Sequence, residues 1–486
     1  MIQRRIVSLI FLFLSVIVVY GERVITLEEV RLLAIDNNRE LQISSQQFLA
    51  AQSFRKASYT RFLPSFDFTS QYIRLNQPFN LLSKNLFLPI VPFTAINSET
   101  GNLSPLDLLQ SDPPALVFGP DGLPMQDGDG NFIFRQYAYI PKSEAEIGGK
   151  NNIFMNFSLM QPIFTGGKIK AQYRAAQHLE QMALHGQKLS EAEVLLEVES
   201  LFWQLITVQE KVELATQYKN MLQSLTYDIE GYLEEGIVNR NDLLRATVAL
   251  NESELEYMKA ENGIVKLSMA LCRLTGLPIT QRLVAKAEQQ DSTIEMTLAE
   301  LWHKGLEQRH EISMVKEQTG LAASLKDLAG AARYPDLALG ASYFAVNPNP
   351  YNGMQKEFGH DWFIGATLTL PVFHWGERRQ LHKAAVFGEN AQQLRLEDTY
   401  EMIKMDITRS FLDMEESKKN VEIKKTSLEQ ASDNLSIAQD NFREGALTTT
   451  DLLEAQALWH QAQTDLIESK NEFRTRYAEL IKAIGN

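Results

Sequence analysis

The chain has 486 residues, 44% of them apolar, enough for a sizeable core spread over two or three ordinary domains or one long repeated one. Its net charge of -14 argues against a nucleic-acid binder. The single cysteine, Cys272, excludes a disulfide framework and a cysteine-based zinc site.

The N-terminus reads as a targeting signal. Arg4 and Arg5 precede an apolar run from Ile6 to Tyr20, and Gly21 supplies a small residue where a signal peptidase would cut. The run is shorter than the roughly 20 residues that span a bilayer as a helix. Residues 1–21 are expected to be a cleaved signal peptide, the alternative being an uncleaved anchor. The protein is expected to be exported.

An internal repeat organises the rest. Ile25-Thr26-Leu27-Glu28-Glu29 returns as Met296-Thr297-Leu298-Ala299-Glu300, a shift of 271, and Pro64 falls on Pro335. Further along the shift is 209: Pro162-Ile163-Phe164 falls on Pro371-Val372-Phe373, and Glu235-Gly236 on Glu444-Gly445. The two shifts differ by 62, so the first copy carries that many extra residues between Tyr72 and Pro162. The expected layout is a first repeat over 22–277, a linker over 278–295 and a second repeat over 296–486. A long loop over 73–150, rich in proline, expands the first copy.

Each copy opens with a helix, Leu27 to about Thr60 and Leu298 to about Ala332, that stops before a proline. Period-two alternation follows. Phe66, Phe68 and Tyr72 alternate with Asp67, Thr69 and Gln71; Ile153, Met155, Phe157 and Leu159 with Asn156 and Ser158. The second copy sets Leu337, Leu339 and Tyr343 against Gly340 and Ser342, then Ile364, Ala366 and Leu368 against Gly365, Thr367 and Thr369. Such runs, apolar on one face and polar or small on the other, predict strands and fit transmembrane β-strands. A water-soluble sheet with one buried face is the alternative.

Two long helical stretches follow, Lys168–Leu277 and Glu377–Ile484. Val194, Val198, Leu201, Leu205, Val208, Val212 and Ala215 step by four and three, a coiled-coil seam. Each stretch breaks once, at Gly236 and Gly445, where a C-cap and then an N-cap are expected. Each is therefore a helical hairpin, with an arm roughly 100 Å long at about 1.5 Å per residue.

The strand pair bracketed by Leu63-Pro64 and Gln161-Pro162-Ile163-Phe164-Thr165-Gly166-Gly167 and the turns over 234–244 and 443–453 occur in one duplicated order. In this the chain resembles the TolC-type outer membrane efflux proteins over almost its whole mature length. The resemblance implies a mainly α fold with a transmembrane β-barrel portion. Long α-helical hairpins form a periplasmic tunnel, and four strands per chain enter a twelve-stranded barrel shared by a homotrimer. It implies an export duct in the outer-membrane lipid that works with a periplasmic adaptor protein and an inner-membrane transporter. Independently, four strands leave two open edges, which lipid does not tolerate, and a conduit needs more strands than two chains provide.

The resemblance also carries site residues. Gly236, Ile237, Gly445, Ala446 and Leu447 stand at hairpin tips that meet the adaptor. Asp451 and Glu454 match acidic residues that ring the periplasmic gate. A pore requires the face with Thr69, Gln71, Asn156, Ser158, Thr367 and Thr369 to be wet. The first copy has Asp242 and Arg245 where the second has Asp451 and Glu454, so the turns are not electrically equivalent. No enzyme signature, cofactor motif or metal cage is found. His178 and His185, like His303 and His310, read as surface residues, and Asp127-Gly128-Asp129-Gly130-Asn131 as a turn, not a calcium loop. The competing class is an exported coiled-coil scaffold without a pore.

Overall fold

The computed structural model describes residues 22–96, 101–103, 105–287 and 296–485. The expected signal peptide, 1–21, and part of the expected linker, 288–295, lie outside the described residues. In chain order the main elements are α1 (Leu27–Asn37), α2 (Arg39–Thr60), β1 (Ser65–Arg74), β2 (Asn151–Phe164), α3 (Lys168–Glu234), α4 (Arg240–Thr275), α5 (Leu298–Gln308), α6 (His310–Ala331), β3 (Asp336–Asn347), β4 (Gly359–Thr369), α7 (Glu377–Arg443) and α8 (Thr449–Ala483). They fall into two compact units. Thr60–Gly166 with Tyr334–Val372 holds the sheet, and the remaining segments hold the helices.

In the helical unit, α3 pairs with α4 and α7 with α8 as antiparallel hairpins. Both long arms have 67 residues. Val194, Val198, Leu205 and Ala215 of the expected seam are buried, but so are Phe202, Trp203 and Ile206. The buried surface of α3 is wider than a coiled-coil stripe because α1, α4, α6 and α8 all pack on it.

Two features depart from expectation. The opening helix of each copy is broken, at Asn38 and at Arg309, positions related by the 271 shift. Asn38 is buried and extended; its side-chain amide donates to the Leu274 carbonyl (3.2 Å) and its oxygen accepts the Glu40 N–H (2.8 Å). Such local bonding competes with helix continuation. At the second break the Arg309 guanidinium donates to Asp406 (2.5 Å) and Glu311 (2.6 Å). The expected linker also contributes structure: Leu283–Ala285 pairs in parallel with Arg23–Ile25, and Ile25 and Leu283 are fully buried.

The sheet unit is antiparallel throughout, in the order β4-β3-β2-β1, with β1 and β4 as free edges. Its register sorts the side chains. Thr69 opposes Asn156, Asp67 opposes Ser158, Ser158 opposes Ser342, and Ala338 opposes Thr367. Thr69, Gln71, Asn156, Ser158, Thr367 and Thr369 therefore share one face. The other carries Phe66, Phe68, Phe157, Leu159, Leu339, Tyr343, Trp362, Ile364 and Leu368, all with much of their surface open. The polar face is not uniformly polar: Phe154 and Phe344 lie on it, ring centroids 6.5 Å apart and 23° from parallel.

The 73–150 insertion is a ladder of short pairs, Phe79–Asn80 with Glu146–Ile147 and Leu86–Pro89 with Tyr137–Ile140. Bridges Leu116–Phe134 and Gln126–Phe132 continue it outward. Its buried centre is Ala95, Ala115 and Leu116, while Phe93 is 80% exposed. The Asp127 carboxylate accepts the N–H groups of Asp129 (3.0 Å) and Asn131 (2.8 Å), closing the turn. Those bonds, led by Asn131, hold its pKa below the ordinary carboxylate value.

Candidate functional site

The hairpin tips are one motif built twice. α3 ends at Glu234 and the chain turns at Gly236 with φ +76°; α7 ends at Arg443 and turns at Gly445 with φ +72°. At the first tip the Ile237 N–H reaches the Tyr232 carbonyl (2.8 Å) and the Gly236 N–H the Leu233 carbonyl (3.1 Å). At the second, Ala446 reaches Asn441 (2.9 Å) and Gly445 reaches Phe442 (3.0 Å). This is the Schellman closure, and it needs a residue that enters the left-handed region without strain.

The next helices start on capping boxes. Asn239 caps α4 with Asp242 answering; Thr448 caps α8 with Asp451 answering. The Asp451 carboxylate accepts the Thr448 N–H (3.2 Å) and hydroxyl (2.5 Å). Asp451 is thus a capping acid, and it stays exposed, as does Glu454. Three positions apart on α8, the two share a side of the helix.

Gly236, Ile237, Gly445 and Ala446 lie at the surface, with Ile237 66% exposed. Leu447 is only partly exposed: with Val238, its counterpart, it packs against the cluster of Leu225, Ile229, Ala246, Leu435, Leu452 and Ala455 that joins the two hairpins. A polar tie near the tips also joins the hairpins: the Arg245 guanidinium donates to the Thr450 hydroxyl (2.8 Å). Higher up, α3 and α8 are joined by Lys211–Glu468 (2.5 Å), by Tyr218 stacked on His460 (4.2 Å between centroids) and by Arg474 over the Trp203 ring (4.5 Å).

His178, His185 and His310, expected at the surface, are instead part-buried. His178 meets Glu317 (2.7 Å) and His185 meets His310 (3.4 Å between Nδ1 atoms) across the α3–α6 seam. Burial, then the neighbouring His310, hold the His185 pKa below its ordinary value; Glu317 opposes this weakly. The folded chain therefore takes up this proton later than the unfolded chain does. The stability linked to it is complete above the ordinary histidine value of 6.5 and is lost as pH falls below it. Melting temperature measured down that range should fall, and His185→Gln should flatten part of the slope. An unchanged slope would exclude His185 as the group responsible.

Residues 145–277 and 301–486 match the outer membrane efflux protein family. The outer membrane protein TolC of Vibrio cholerae is 22% identical over 297 residues, 60% of this chain and 67% of that protein. The cobalt-zinc-cadmium resistance protein CzcC of Cupriavidus metallidurans is 24% identical over 309 residues, 62% of this chain and 70% of that one. Among solved structures, the CmeC outer membrane channel of Campylobacter jejuni has a TM-score of 0.71 at 19% identity, covering 94% of this chain and 85% of its own. The open state of the MtrE outer membrane channel of Neisseria gonorrhoeae gives 0.68 at 14% identity, over 95% and 89%.

Long helical hairpins together with a four-stranded antiparallel sheet are the fold of the solved outer-membrane channels. The chain belongs to the outer membrane efflux protein family. It is an outer-membrane efflux channel protein that extends into the periplasm, of the kind used by tripartite efflux or secretion systems, and not an enzyme. The pore-less scaffold is thereby set aside.

Proposed function

We propose that three copies form a continuous duct that opens to the exterior and receives cargo when an adaptor and an inner-membrane transporter dock beneath it. The observation that carries docking is the matched pair of tips. Two arms of 67 residues, each closed by the same left-handed glycine and capping box, present twin turns of one shape. Ile237 and Ala446, with Gly236 and Gly445, are the contact surface, and Leu447 supports it from beneath. The sheet supports the trimer, since the free edges of β1 and β4 need partners in lipid. The polar face with Thr69, Gln71, Asn156, Ser158, Thr367 and Thr369 then lines the lumen. Asp451 and Glu454 form the gate, and the 73–150 ladder stands outside the cell. The two repeats, 22–277 and 296–486, follow a cleaved signal over 1–21.

The test is cross-linking in cells from Ile237→Cys and Ala446→Cys. Both should capture an adaptor-sized periplasmic protein, whereas a cysteine at Asp121 in the 73–150 loop should not. Failure of both tip cysteines would sink the docking assignment.

A further inference from the structure

Where the first repeat turns from β2 into α3 it places Gly166 at φ +60°, which glycine enters freely. The matching residue of the second repeat, 209 positions on, is Trp375, and its backbone keeps φ +49°. A bulky residue in that region is a backbone outlier. Strain of this kind persists where a site makes use of it. The fold itself gains little from the ring. Trp375 is 90% exposed and meets Phe373, itself 68% exposed, edge-on at 4.7 Å and 68°. Val372 beside them is 85% exposed.

Next to the turn the start of α7 is basic. The Arg378 guanidinium holds the turn in place, donating to the Ala332 carbonyl and touching His374 Nε2 at 3.1 Å. Arg379 and Lys383, four positions apart, lie on one exposed face. In the first repeat the counterpart of Lys383 is Arg174, which is paired with Asp327 (3.1 Å). Among the described residues Lys383 and Arg379 form no ion pair, and Glu377 is the acid of that turn.

We propose that this turn is an interfacial anchor: Trp375 inserts at the periplasmic boundary of the outer membrane while Arg379 and Lys383 hold the phosphate of an anionic phospholipid. The inference rests on the outer-membrane location. The turn follows β4, which carries Trp362, Ile364 and Leu368 on one apolar face, and leads directly into α7. Aromatic rings concentrate at such a boundary, and cations there attract anionic headgroups. Charge complementarity selects the lipid over a bare apolar partner. Insertion also accounts for a tryptophan where the twin position uses glycine.

The test uses the full chain in liposomes of phosphatidylethanolamine and phosphatidylglycerol with brominated acyl chains. Tryptophan emission lost in wild type beyond that lost in Trp375→Phe reports Trp375. That excess should be present, and at least about twofold larger when the bromine is on phosphatidylglycerol than on phosphatidylethanolamine. Arg379→Gln with Lys383→Gln should bring the ratio to one. Trp375→Gly should melt no lower than wild type in detergent, since it removes strain and no packing. Trp362, on the apolar sheet face, is the internal control. If the Trp375→Phe protein is quenched through Trp362 but wild type shows no excess, the anchor is wrong while the membrane location stands. A twofold ratio untouched by the double substitution would overturn the headgroup contact. A Trp375 already shielded from iodide in the detergent-solubilised assembly would assign the ring to a neighbouring copy.

Discussion

Replacing Phe387 by aspartate is expected to break the proposed three-chain assembly into separate chains. The repeat supplies the reason. In the second copy α6 lies between two long helices. It meets α7 of its own repeat through Lys326–Glu389 (2.8 Å), and α3 of the preceding repeat through His178–Glu317 and Arg174–Asp327. In the first copy α2 meets α3 through Arg55–Glu180, the same two positions as Lys326–Glu389 under the shifts of 271 and 209. Its other neighbour would be the α7 of a preceding repeat, which only another copy can supply.

The shifts also give the register of that seam. His178 becomes Phe387, His185 becomes Leu394, and Gly320, which lies under the His178 ring, becomes Leu49. Phe387 is 68% exposed, Leu394 65% and Leu49 46% in the single chain. In the proposed assembly these apolar residues would form the seam where the internal one is built on histidine. Truncating Phe387 forfeits about 1.5–3 kcal/mol at each seam, and a carboxylate left without a partner there adds a larger desolvation cost. Light scattering or native mass spectrometry of the detergent-solubilised protein reads the outcome, and Phe387→Leu should remain assembled. Leu49→Cys with Phe387→Cys should join chains covalently. Background from Cys272 should be low, because that thiol is buried and burial pushes its pKa up. A Phe387→Asp protein that still ran as a trimer would falsify the register.

Much of this was legible because periodicity is local. Alternation in residues 66–72 and 153–159 assigned the two faces, and the pairing of Thr69 with Asn156 keeps them apart. The glycines at 236 and 445 marked turns because a left-handed residue there has few alternatives. What the pattern did not contain was facing. Nothing in the spacing of His178 and His185 shows that Glu317 and His310 lie opposite. Arg245 looked like a charge difference between the turns and proved to be a tie to Thr450. Asn38 looked like an ordinary helical residue, since its carbonyl partner is 236 positions away. Leu447 came with the tip through the resemblance alone, and nothing in its spacing shows that it is partly buried against the cluster that joins the hairpins. The strand face with Thr69 and Asn156 was expected to be small or polar, and Phe154 with Phe344 also lies on it.

The Asp451 and Glu454 carboxylates yield the second large effect. If three copies bring Asp451 and Glu454 to one constriction, six carboxylates converge, and such rings select cations and bind multivalent ones. Wild type in a planar bilayer should conduct poorly, prefer cations and be blocked by multivalent cations from the periplasmic side. The structure separates the contributions. Asp451 is held by the Thr448 N–H and hydroxyl, so Asp451→Asn also weakens a cap worth about 1 kcal/mol. Glu454 is exposed and outside the capping box, so Glu454→Gln removes charge alone and should carry most of the loss of block. The double variant should lose more selectivity without losing the trimer, because both residues lie outside the cluster that joins the hairpins. Arg245→Ala should act differently. It removes the tie to Thr450 but leaves the carboxylates, so conductance should rise while cation preference persists. If Glu454→Gln and the double variant matched wild type in block and selectivity, Asp451 would be a helix cap and nothing more. If Arg245→Ala conducted no better than wild type, the tie would hold the tips together without holding the entrance shut.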